Sequence, residues 1–296
     1  LPGVFLISQT HNVMRHSEDI VSRRMELEHS GTMALLRSAM AAGGGPGALR
    51  IHTLEDSLYT HLLLFSGKGV PTAYTYGSAP AEGPYTLGLL LLNTPEFHRG
   101  WLDVAGMRLL LAESDKVPDW VDGEYPLAWK DEEAGLSVFA NPWAWPRAYM
   151  TADVVLEPDL DRQRLRMSEP GGVEPLSAML AAEPEAPLDP LAAGTAEITR
   201  WTPNAVDVRC VANGNMLLVL AERMAPGWTA TVDGEPAPIL TANYIFRAVP
   251  VPAGAHMVRF AYRPPGFTAC LAVSAATALL LAALPLAQAT RRRRTP

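Results

Sequence analysis

Cysteine is scarce in this 296-residue chain, which holds only Cys210 and Cys270. They form no CxxC pair, so the spacing encodes neither a disulfide framework nor a zinc ribbon. Cys270 lies inside an apolar run and Cys210 in an alternating segment, and no bridge between them is expected. Seven histidines are scattered without an HExxH, and His11 and His16 are five apart, so no metal is expected. There is no GxSxG elbow of a serine hydrolase. Gly67-Lys68 lacks the earlier glycine and the following Ser/Thr of a phosphate-binding loop. Basic residues are few outside one cluster: apart from Arg291–Arg294, the body carries 20 Lys+Arg against 31 Asp+Glu, a balance of −11. An acidic body excludes nucleic acid as a partner, because phosphates need a basic face. Nor is there a charged n-region with a following apolar stretch and cleavage site; the chain opens Leu1-Pro2-Gly3 rather than Met, and is expected to be a piece of a longer protein.

Apolar residue is abundant. Hydrophobic residues make up 48% and charged residues 19%, which supports a packed core and excludes global disorder. The length suffices for two domains of roughly 100–200 residues each. From Phe267 to Ala289 run 23 uncharged residues, FTACLAVSAATALLLAALPLAQA. About 20 apolar residues span a bilayer core as a helix. A soluble helix of that length would show a polar stripe, and this one has none. The RRRR that follows is a stop-transfer signature, and basic flanks stay cytoplasmic. The expectation is a transmembrane helix over 267–289, a cytoplasmic tail over 290–296, and everything before Phe267 outside the cytoplasm. "YRPPG" at 262–266 leaves almost no linker, so the preceding module should rest on the bilayer.

The texture of the rest divides the chain. Residues 1–47 look helical: Ser17 with Glu18 and Asp19 makes a helix start, a second helix is expected over 33–42, and GGGPG at 43–47 breaks it. LPGVFLIS at 1–8 is apolar and too short to distinguish the tail of a membrane helix from an ordinary segment. Residues 48–167 alternate short strands ("LRIHTL", "GLSVFA") with helical pieces and suggest a mixed α/β layer domain. Residues 168–195 are a proline-rich linker by composition. From 196 to 266 the period is two. Val206, Val208 and Cys210 share one face, as do Trp228, Ala230 and Val232, and "NMLLVLAER" is nearly all apolar, as a central strand can be. Asp233-Gly234 supplies a two-residue hairpin turn. These strands predict an antiparallel β-sandwich. The fold class is therefore α+β: a mixed α/β layer domain, an antiparallel β-sandwich and one C-terminal transmembrane helix.

The stretch LAERMAPGWTATVDGEPAPILTANYIFRAVPVPAGAHMVRFAYRPPG, followed at once by the apolar run, resembles the C-terminal end of the YfhO family of bacterial multi-pass membrane proteins; "LDVAGMRLLL" and "FANPWAWPRAYM" resemble upstream pieces. Such proteins are similar to GT-C glycosyltransferases. The resemblance implies an extracytoplasmic part of a membrane protein that passes sugar from a polyprenyl-phosphate-linked donor to a cell-envelope glycopolymer. The catalytic carboxylate of that class lies on an early loop that this chain does not include. No catalytic residue is therefore assigned, and no cofactor within the chain itself. The competing expectation is a non-enzymatic, membrane-anchored β-sandwich that binds carbohydrate or an envelope protein.

One constellation is a candidate ligand site. Trp143 and Trp145, two apart, share a face in extended chain, where sugars stack on indoles, and Arg147 can hold a phosphate bidentately. The bland alternative is core packing or placement among lipid head groups. Asp159-Leu160-Asp161 matches a DxD pattern, which is cheap in an acidic chain and is expected to be a solvated loop. Trp228 is expected in the core, and Gly227, Asp233 and Gly234 in turns.

Overall fold

A computed structural model of the chain describes residues 31, 32, 34, 35, 38, 50–53, 98–169, 171–202 and 204–278. The expected features at 1–29, 43–47, Gly67-Lys68, the apolar segments within 54–97, and residues 279–296 lie outside these. Of the helix expected over 33–42, residues 34, 35 and 38 are described and helical, as are 31 and 32.

The described chain is mainly β. Strand β1 (Ile51–Thr53) precedes helix α1 (His98–Val104), then β2 (Leu109–Glu113), β3 (Leu127–Asp131) and β4 (Leu136–Ala140). Next come β5 (Ala148–Thr151), β6 (Val154–Leu156), α2 (Leu160–Ser168) and β7 (Ala178–Leu180). The C-terminal part is β8 (Gly194–Thr202), β9 (Ala205–Ala212), β10 (Met216–Arg223), β11 (Trp228–Val232), β12 (Glu235–Ala237), β13 (Leu240–Ala242), β14 (Phe246–Val251) and β15 (Gly254–Tyr262). Residues 267–278 form α3.

Three sheets result: a four-stranded one in the order β1-β2-β4-β3, a six-stranded one in the order β5-β10-β14-β13-β7-β6, and a five-stranded one in the order β12-β11-β15-β9-β8. Among the described strands, only β1/β2 and β6/β7 pair in parallel. Antiparallel pairing dominates among the described residues, which are mostly β with few helices; of the mixed α/β domain expected over 48–167, residues 54–97 lie outside the described residues.

The middle strand of the chain explains the layering. Along β10 the side chains alternate between two cores. Met216, Leu218 and Leu220 pack with Val206, Val208, Cys210, Val258 and Phe260 of the five-stranded sheet. Leu217, Val219 and Ala221 pack on the other side with Trp101, Leu102, Met167 and Tyr149. A strand covered on both faces has no polar face to keep, and this accounts for the continuous apolar run at 216–221. The six-stranded sheet is thus a central layer. The five-stranded sheet covers one face to make the sandwich, while α1, α2 and residues of β2 and β4 contribute to the core on the other.

The sandwich extends beyond the strands read at 196–266. Strand β5 pairs with β10 from Leu217↔Thr151 to Leu220↔Ala148, and the segment read as a linker contains β7, which pairs with β13 and β6. Ala178, Met179 and Leu180 are all buried; proline content on either side masked this short apolar triplet. The hairpin at Asp233-Gly234 forms as expected. Both residues have positive φ (52° and 91°), and Val232 pairs with Glu235.

A buried polar joint ties these pieces together. Asn243, fully buried at φ 49°, accepts the Met179 amide at 2.7 Å on its side-chain oxygen and donates to the Tyr149 hydroxyl at 3.0 Å. That hydroxyl donates to the Ser177 carbonyl at 2.9 Å. Gln163 of α2 accepts the Tyr244 amide at 3.1 Å. Burial drives the Tyr149 hydroxyl well above its ordinary pKa, and it stays protonated.

Candidate functional site

The three residues singled out in the sequence are placed differently from one another. Trp143 is half exposed and meets Tyr125 edge-on at 5.6 Å. Trp145 is buried and meets Tyr149 edge-on at 5.8 Å. One indole is in the core and the other at the surface, so they form no paired stacking platform. Asn141 holds this turn, accepting the Trp143 amide at 3.0 Å and donating to Asp103 at 2.8 Å. Arg147 goes elsewhere, into a buried charged centre.

That centre is built around Glu222, at the end of β10. Its Oε1 accepts from Arg147 Nη2 and from Arg50 Nη2, the latter at 2.9 Å, and lies 3.4 Å from Trp201 Nε1. Arg247 of β14 donates Nε to the Glu222 carbonyl at 3.4 Å. Arg50 also donates to the Ala105 carbonyl at 2.6 Å. Arg50, Arg147 and Arg247 are all buried. Burial pushes the Glu222 carboxyl up, but Arg147, Arg50 and Arg247 together outweigh it and hold the group down at about 2. Such a carboxylate is no base near neutral pH, and guanidinium is no acid, so the centre carries fixed charge rather than acid–base chemistry. It draws together the segment before β1, the start of β5, and the facing ends of β10 and β14.

Two tryptophans of the five-stranded sheet cover the centre. Arg147 lies 4.9 Å from the ring of Trp201, on β8. Arg247 lies 3.6 Å from the ring of Trp228, on β11, and 5.3 Å from that of Phe260. Trp228 is thus half-buried at the sandwich rim, stacked on a guanidinium, rather than sealed in the apolar core. Sequence reasoning missed Arg50, Glu222 and Arg247. A signal was there for two of them: "YIFRAVPV" and "LLVLAER" each put a charge within a run that is otherwise apolar, and a buried charge requires a partner.

Beyond the tryptophans the chain leaves the sandwich. Trp228 pairs with Tyr262 across the strands, their rings 5.2 Å apart. The Tyr262 amide donates to the Asn204 carbonyl at 2.9 Å, and the Arg263 amide to the Gly227 carbonyl at 3.0 Å. Gly227 has φ 103°, and a Cβ there would stand 2.3 Å from the Arg263 carbonyl oxygen, so only glycine fits. Helix α3 then begins at Phe267, with Phe267, Leu271 and Val273 exposed. Among the described residues no helix is long and apolar enough to cross a membrane. The span expected over 267–289 is described only as far as residue 278, where it is helical.

The remaining motif is explained locally. Asp159 of the DxD match caps α2, its Oδ1 accepting the amides of Asp161 at 2.9 Å and Arg162 at 3.2 Å. It is a helix cap and not a free loop. Among the described residues no group of three or more His, Cys, Asp or Glu could hold a metal ion.

The fold and its exit define a layered β-sandwich whose last strand turns directly into an apolar helix. Residues 185–274 match the family model described as "Bacterial membrane protein YfhO", the segment from before β8 into the first turns of α3. The resemblance noted in the sequence is therefore borne out over that span, which is similar to this family of bacterial membrane proteins. No curated protein and no solved structure matches the chain.

Proposed function

We propose that this chain is the extracytoplasmic C-terminal part of a membrane glycosyltransferase-like protein of the GT-C kind. It assists transfer of a sugar from a polyprenyl-phosphate donor to a cell-envelope glycopolymer. The observation that carries this reading is the continuity of one family segment through the sandwich and into the apolar helix, with residues 263–266 alone between β15 and α3. Four residues reach at most about 14 Å. The sandwich is thereby held at the lipid surface, where a lipid-linked donor and an envelope acceptor meet. The helix over 267–289 anchors it, with the arginine tail on the cytoplasmic side.

The centre around Glu222 supports a positioning role rather than chemistry, because the Glu222 carboxyl, held down by the arginines, is no proton acceptor near neutral pH. Sugar analysis of envelope polymers from cells with and without the gene tests the reading. Loss of one glycosyl substituent on deletion is expected, together with no transfer by the purified chain given donor and acceptor. Unchanged polymer glycosylation in the deletion strain would refute the sugar-transfer role and favour a binding module.

A further inference from the structure

The sandwich has two ends of opposite character. At one end lie the β9–β10 and β11–β12 turns, with Asp189, Asp233 and Glu235. At the other, β8 ends, β11 begins and β15 ends, next to α3. That end carries Trp201, Trp228 and Tyr262, all half-buried, and the exposed Arg263. On the opposite, outer face of the same sheet and a short way from this end, Arg200 and Arg259 both approach Asp207, at 3.9 and 3.7 Å. Two guanidiniums share that one carboxylate, and both side chains are more than half exposed. With Arg263 this end has a surplus of positive charge on a chain that is acidic as a whole.

The aromatic rings are held from behind. Arg247 stacks on Trp228 and Arg147 lies over Trp201, so both indoles are fixed by the buried centre while part of each stays at the surface. Indole and phenol rings with arginines are the side chains that settle at a bilayer–water interface. Phe267, Leu271 and Val273 continue the apolar surface into α3.

We propose that Trp201, Trp228, Tyr262, Arg200, Arg259 and Arg263 form a docking surface for anionic phospholipid head groups, so that the sandwich stands end-on against the bilayer. This rests on the reading of 267–289 as an anchor and adds which end faces the lipid and which lipid it prefers. The acidic end points away, because an anionic surface repels it. The rings enter the head-group layer, and the arginines pair with phosphates.

The test uses the full chain in vesicles of phosphatidylcholine alone or of phosphatidylcholine and phosphatidylglycerol in equal parts. In a Cys270→Ser background, Asn204→Cys places a fluorophore at the aromatic end and Glu235→Cys places one at the acidic end; Cys210 is buried. Acrylamide quenching is read at each. With phosphatidylglycerol the label at 204 is expected to be several-fold less quenchable than that at 235. The protection weakens in high salt, in phosphatidylcholine alone, and in the combined Arg200→Gln, Arg259→Gln, Arg263→Gln variant, each arginine being worth about fivefold in attraction to an anionic surface. The salt and lipid arms need no substitution of the arginines, so a misfolded variant does not decide the outcome. Equal quenching at both ends in chain that survives an alkaline carbonate wash overturns the docking surface and leaves the anchor standing. Chain removed by the wash overturns both.

Discussion

The guanidinium of Arg247 lies 3.6 Å from the ring of Trp228, joining the central sheet to the sheet that covers it. Arg247 is 2% exposed and Trp228 sits at the rim, so one contact runs from the buried charged centre to the surface. Stacking of this kind needs a plane as well as a charge. Arg247→Lys keeps the charge and loses the plane. It is expected to destabilise the fold by about 1–2 kcal/mol, read as a lower midpoint in urea, and to blue- or red-shift the Trp228 emission. An unchanged midpoint would show that the stack contributes nothing.

The Glu222 carboxylate is shared by Arg50 and Arg147 and feels the charge of Arg247 as well. Glu222→Gln leaves three buried cations without their common partner, and breaking such a group costs about 3–5 kcal/mol. The urea midpoint should fall with the slope of the transition unchanged. A loss under 1 kcal/mol, about what a surface pair contributes, would contradict the buried centre.

The same group sets an acid limb. Its folded pKa, about 2, lies below the ordinary 4.5, so its contribution is complete above pH 4.5 and is lost as pH falls toward 2. Stability measured across that window should decline in the native chain and decline less in Glu222→Gln. Parallel curves for the two proteins would remove Glu222 from the account.

At the acidic end of the sandwich the sign reverses. His256 Nδ1 is 2.6 Å from Asp233 Oδ2, and the Asp233 hydrogen bond raises the imidazole above its ordinary 6.5. The ring also meets the Ala253 carbonyl at 3.3 Å, while Asp233 Oδ1 accepts the Met257 amide at 2.8 Å. The pair therefore supports the hairpin fully below pH 6.5, and that support is lost as pH rises through the raised value. Proton NMR titration should find His256 above 6.5, falling back in Asp233→Asn. A His256 titration that ignores this substitution would show the pair is not formed.

Asn243 tests the polar joint and its backbone separately. Asn243→Gly keeps the positive φ and strips both side-chain bonds, leaving the Met179 amide and the Tyr149 hydroxyl each short of a partner, at about 1–3 kcal/mol. Asn243→Ala adds the strain of a Cβ in the left-handed region, a further 1 kcal/mol or so. Thermal unfolding should rank native above Gly above Ala. Alanine equal to glycine would mean the backbone relaxes there.

The sandwich was legible because its strands announce themselves. The alternation at 206–210 and 228–232, the turn at Asp233-Gly234 and the apolar run of β10 each follow from burial on one face or two. Strand β5 follows a proline-broken stretch and does not read as part of the sandwich, since its partner β10 lies some seventy residues on and pairing at that distance leaves no local trace. Strand β7 was hidden by its prolines. Of the candidate site, Arg147 was found for its guanidinium, but its partner Glu222 was not, because the ion pair joins two strands whose register only the folded sheet sets. Asp159 was dismissed as loop, although an acid one residue before a helix start is a cap.

The central claim is that the sandwich is tethered outside the cytoplasm by the helix beginning at Phe267. Protease added to intact cells, followed by detection of the sandwich and of an epitope tag placed after Pro296, tests it most directly. The account predicts that the sandwich is digested or released while the tag is protected until the cells are opened. A protected sandwich with a digested tag would contradict it.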